Sequence, residues 1–253
     1  LAWTQWVGGS QNYLFHPSHG AIWSNTPFSS SVHAWAGVSF WRNAYVVYEH
    51  DVSYLPSLAT YTNTFLPKQY LLMTEYNNKQ PSIFVDWKLK YTWLQSSKTY
   101  VHPSSWVGYA YGYFLWDVAE IVMYDKSLSN IQENILFSYL AVKYWITLDQ
   151  TWLWQHYVDG SGNIVWNASN NSWYNNNIFG IWRDDSTSLY QKQSQSVNTG
   201  VLTIALNQLA STNQANTSTL SDRNFIIGWD NNWTLSLSES FNGNINSRLW
   251  RVW

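Results

Sequence analysis

Ser82-Ile83-Phe84-Val85-Asp86-Trp87-Lys88-Leu89-Lys90-Tyr91 is the stretch that decides the fold. Two alternating, strand-like runs flank a two-residue turn, so the segment reads as a β-hairpin. The favoured turn chemistry is Asp-Gly, because a type I′ turn needs φ > 0 at both central residues. Here the second position is Trp87. A bulky L-residue at positive φ costs roughly 1–2 kcal/mol. Trp outnumbers Gly in the chain, 19 to 12. Trp35, Trp116, Trp145, Trp182 and Trp233 also stand in contexts that suit Gly. Some bacterial lineages read UGA as Gly, whereas another code reads it as Trp. A gene of the first kind translated with the second table gives this pattern. The expectation is UGA at Trp87, Trp116 and Trp145, with UGG at Trp166.

Working outward from the hairpin, residues 1 to about 127 read as β. Short apolar runs alternate with polar turns: 38–40, 44–48, 70–76, 82–85, 88–91 and 118–124. Regular strand spacing without intervening helices indicates a sandwich or jelly roll. One helix interrupts the pattern. Ser129 is an N-cap, Gln132 completes a capping box, and apolar residues recur at Ile131, Ile135, Leu136, Leu140 and Val142 up to Tyr144. Position 145, written Trp, is where a C′ Gly belongs. Beyond about residue 150 the composition shifts to Asn, Ser, Thr and Gln. Strand candidates there are 163–166, 177–181, 201–206, 224–228 and 234–237. The expected fold is all-β: an antiparallel sandwich over 1–128, a capped helix and linker over 129–149, and a partial second β-rich module over 150–253.

Composition narrows the partners. Charged residues are 11% of the 253, the net charge is −2, and no basic stripe is present. Nucleic acid and anionic membrane are therefore poor partners. The chain has no Cys, which rules out disulfides and thiolate metal sites. No apolar run approaches the ~18 residues of a membrane helix, so no membrane insertion is expected. No signal peptide is visible, and both ends read as cuts through a longer polypeptide.

Several segments carry a family resemblance. His33 to Ser39, Val46 to His50, Pro81 to Lys88, Val101 to Ser104 and Tyr111 to Ile121 resemble the LamG-like, concanavalin A-type jelly roll found in bacterial surface proteins. Reading Gly at positions 35, 87 and 116 improves that match. Residues 129–253 resemble the uncharacterised β-rich region that follows such modules in large adhesin-like proteins. The pieces are Ser138 to Leu148, Phe179 to Asp185, Gln191 to Asn198 and Arg251 to Trp253. The resemblance implies an exported, extracellular protein that binds a glycan or a cell-surface or matrix ligand.

Candidate chemistry is sparse. Glu49 and Asp51 have the i, i+2 spacing that puts two carboxylates on one strand face, as glucanases of this fold class require. No third acid follows at the expected step. His16 and His19 straddle Pro17-Ser18 without a ligand set. His50 and His102 fall in the family-like motifs, where they either hydrogen-bond a buried turn or line a ligand groove. Tyr109, Tyr111 and Tyr113 share one face of a strand, as a platform for sugar rings or as a packed ladder. Calcium is the one cofactor to consider, with Asp117, or Asp184 and Asp185, supplying oxygens. Trp166 reads as a core residue. The leading function is non-catalytic glycan binding or adhesion. The alternatives are a structural spacer in a large adhesin and a polysaccharide hydrolase.

Overall fold

The computed structural model describes residues 13–21, 32–41, 43–51, 57–65, 68–107, 117–150, 155–196 and 202–233, with backbone alone for 13–21 and 104–107. The chain forms two compact units. The first comprises Leu1–Lys68, Leu72–Val85 and Leu89–Ser127; the second comprises Gln69–Leu71, Asp86–Lys88 and Leu128–Trp253.

The first unit is an all-β sandwich. One layer contains β1 (Tyr13–Ala21), β2 (His33–Trp41), β3 (Ala44–His50), β4 (Ala59–Thr62) and β8 (Tyr100–Val107), in the order β1-β8-β2-β3-β4. The other contains β5 (Leu72–Asn77), β6 (Gln80–Val85) and β7 (Lys88–Thr92). Pairings are antiparallel except β2 with β8, which run parallel. Between the layers lie Val38, Phe40, Tyr45, Val47, Phe65 and Ile83. Phe40 meets Phe65 edge-on at 4.6 Å between ring centres, and the Tyr45 hydroxyl shares a 2.8 Å hydrogen bond with Thr74 Oγ1.

The hairpin read from the sequence is present. β6 buries Pro81, Ile83 and Val85 in strict alternation, the period of a half-buried strand. Asp86 and Trp87 both have positive φ, 50° and 71°, as a type I′ turn requires. Asn78 and Lys79 turn β5 into β6 the same way, with φ of 46° and 65°.

The second unit holds α1 (Asn130–Tyr144) and short strands: β9 (Tyr157–Val158), β10 (Ile164–Trp166), β11 (Asn176–Asp184), β12 (Leu189–Gln191), β13 (Gln193–Gln195), β14 (Thr203–Ala205) and β15 (Asn224–Asp230). Gln132 Oε1 accepts hydrogen bonds from the Ser129 N–H and hydroxyl, each at 2.9 Å, at the start of α1. Trp145 ends the helix in the left-handed conformation, φ 58°, and the Ile146 N–H bonds back to the Ala141 carbonyl at 2.9 Å. α1 buries Phe137, Ser138, Ala141 and Val142. Trp87, counted in this unit, packs edge-on against Phe137 at 3.9 Å. β12, β11 and β15 form one sheet, with Ile178, Phe179, Ile181 and Trp182 of β11 buried.

Two sequence expectations need correction. Val118–Tyr124, read as a strand, adopts no regular structure, and its apolar side chains are exposed. A run of β-prone apolar residues specifies a strand only where a neighbouring edge is available to pair. Trp35 and Trp182, whose contexts were read as suiting Gly, are buried within β2 and β11. Trp233 is exposed and does not have positive φ. Trp116, the strand expected at 234–237 and the C-terminal run lie outside the described residues.

Candidate functional site

The register of β8, β2 and β3 assembles a row of rings on one side of the first sheet. Trp35 is opposite His50 on β3 and opposite His102 on β8, while His33 is opposite Tyr100. Residues paired across a ladder share a face, as do residues two apart on one strand. His33, Trp35, His50, Tyr100 and His102 therefore belong to the same face. Glu49 and Ala36, one position out of phase, point to the other.

Trp35 is fully buried and floors this row. Its ring lies 6.0 Å from His102 and 6.5 Å from His33. Tyr100, 54% exposed, stacks on His33 at 4.8 Å with the planes within 23°. His33 Nδ1 and His102 Nε2 are 2.8 Å apart. Their ring centres are 5.1 Å apart and the planes within 15°. That separation is close to the nitrogen gap plus the two ring radii, so the nitrogens face each other along the line of centres. One ring donates and the other accepts. Burial, then the neighbouring His33, pulls the His102 pKa below the ordinary histidine value. The product is a half-open wall of flat, polarisable rings with imidazole nitrogens at its edge, a surface suited to packing a sugar ring and bonding its hydroxyls.

Of the residues expected to bind ligand, His50 and His102 come together here, on either side of Trp35. Tyr109, Tyr111 and Tyr113 lie outside the described residues. The sequence reading missed His33 and Tyr100. Its one available signal was the alternation of ring residues in His33-Ala34-Trp35 and Tyr100-Val101-His102. His16 and His19 lie in β1.

The paired acids do not form a cleft. Glu49 is fully buried, with Oε2 accepting the Ser96 hydroxyl at 2.6 Å. Burial raises its pKa above the ordinary carboxylate value. Asp51, also buried, is ion-paired with Lys98. Each is buried and engaged by its own partner.

The residues expected to bind calcium are separately engaged. Asp184 is buried and accepts bonds from the Gly160 N–H, the Ser186 N–H and the Ser186 hydroxyl. Asp185 holds Arg183 in a two-point ion pair at 2.8 and 2.9 Å. Asp117 is exposed in the irregular segment. Among the described residues, no three His, Cys, Asp or Glu side chains are grouped to hold a metal ion. No helix among them is long and apolar enough to cross a membrane. Trp166 is buried, its indole N–H donating to Asn175 Oδ1 at 2.8 Å.

Residues 132–253 match the model of a family described as a domain of unknown function, DUF8202. The match covers slightly less than half of the chain and shows what the second unit is similar to. No curated protein matches the chain, and no solved structure does.

Proposed function

We propose that the first unit is a non-catalytic glycan-recognition module of an exported surface protein. The observation that carries this reading is Tyr100, more than half exposed and stacked on an imidazole pair that rests on buried Trp35. A sugar's C–H face packs on Tyr100, and the histidine nitrogens take its edge hydroxyls. The five- and three-stranded layers support assigning the unit to the LamG-like jelly rolls. The low charge supports short-range recognition without electrostatic steering. A glycan array on the whole chain tests the reading. Binding that Tyr100→Ala weakens by up to about tenfold, the scale of one aromatic contact, upholds it. A folded chain that binds nothing on a broad panel favours the second reading, a spacer in a longer adhesin. Turnover of a β-glucan that is lost in Glu49→Gln would instead revive a hydrolase.

We also infer that Trp87 and Trp145 occupy glycine positions. Both take positive φ at places where turn and helix-cap chemistry favour a residue without a β-carbon. UGA codons at both, with UGG at Trp166, would uphold recoding. UGG at all three would end it.

A further inference from the structure

We propose that the His33–His102 face selects acidic glycans, those bearing a uronate or a sulfate ester, and takes up a proton as it binds them. This deepens the glycan-binding reading above and rests on it.

Two imidazole nitrogens facing each other at 2.8 Å must hold a single proton between them. In the neutral pair, the donor ring then keeps its outer nitrogen bare and the acceptor ring carries its proton on the outer nitrogen. A first added proton enters the bare outer nitrogen and leaves the inner bond intact. That bond becomes charge-assisted and therefore stronger. Both outer nitrogens are then N–H donors, and the pair carries one positive charge. A second added proton would break the inner bond. The site is thus built to accept one charge and no more.

The surroundings favour an anion as the group that brings in this charge. The described residues on this face of β2, β3, β4 and β8 include three histidines (His33, His50 and His102), the phenols Tyr48 and Tyr100, and no carboxylate. Of the nearby acids, Glu49 points to the opposite face and is held by Ser96, and Asp51, just past the end of β3, is ion-paired with Lys98. β1 pairs with β8 only beyond His102, from Ser104 onward, and its His16 is opposite Trp106. Among the described residues this face supplies no counter-ion, and burial, then the neighbouring His33, disfavours the charged form of His102. A carboxylate or sulfate laid across Tyr100 and the outer nitrogens supplies the missing counter-charge and stabilises the protonated pair. Proton uptake and acidic-glycan binding are then one linked equilibrium.

Calorimetric titration of the whole chain between about pH 5 and about pH 8 tests this. The probes are an oligogalacturonate (carboxylate only), a carrageenan oligosaccharide (sulfate only) and a neutral cello-oligosaccharide. Affinity for at least one acidic probe should rise up to about tenfold per pH unit on acidification. Proton uptake should appear as a dependence of the heat on buffer ionisation enthalpy. The neutral probe should show no slope. His33→Phe keeps a ring beneath Tyr100 and should abolish the slope. Should that variant misfold, imidazole nitrogen shifts of the wild-type chain on adding the acidic probe provide the same test, with protonation of one outer nitrogen expected. Acidic-probe binding without a pH slope, or binding of the neutral probe alone, overturns this inference and leaves glycan recognition standing. No binding of any probe overturns both.

Discussion

Trp145 shows what one side chain costs when the backbone decides the conformation. Its left-handed φ lets the Ile146 N–H close the helix end onto Ala141. Its indole N–H is buried with no hydrogen-bond partner among the described residues. Both features oppose folding. Trp145→Gly should therefore raise stability by about 1 kcal/mol in denaturant melts; a loss of stability would show that the indole's packing outweighs the strain. Glu49 gives a second test at this scale. Burial raises its pKa, so the folded chain favours the protonated acid. Stability from this group is complete below the unfolded pKa and is lost as pH rises through the folded one. Glu49→Gln should melt higher than wild type at pH 7, and the gap should close near pH 4, where the unfolded carboxyl is protonated. Thermal scans at the two pH values check the sign.

At the scale of elements, the local ones were legible and the long-range ones were not. The β6–β7 hairpin announced itself through alternation and a two-residue turn. α1 announced itself through Ser129, Gln132 and a 3.6-residue period, and it spans the residues read from sequence, Asn130–Tyr144. These signals lie within a few residues of one another. The parallel pairing of β2 with β8 joins segments some 69 residues apart, the separation of His33 and His102. No local pattern encodes such a pairing, so the imidazole contact could not be read. Val118–Tyr124 fails in the opposite sense: it is a nearly continuous run of apolar and aromatic residues, yet the segment forms no strand. The helix itself is held by its buried face. Phe137→Ala removes the ring that meets Trp87 and should cost about 3–5 kcal/mol, the range for a buried Phe. Urea melts followed by the helical signal at 222 nm would measure it; a cost under about 1 kcal/mol would mean that the site collapses without a cavity.

For the whole molecule, strand spacing set the class and the structure brought the rings of the first sheet into one row. Regular strand spacing without intervening helices pointed to a β sandwich, and low charge to short-range recognition. His50 and His102 were picked out from sequence, but the row they flank emerges only when three strands are placed in register. The second unit resembles a family without assigned function, which leaves the ring row on the first sheet as the feature from which function is argued. The most direct measurement is therefore one of location. Side-chain NMR of the whole chain, titrated with a glycan that binds on the array, should show the largest shifts at Tyr100, His33 and His102. Binding with those rings unperturbed, and shifts confined elsewhere, would contradict the account.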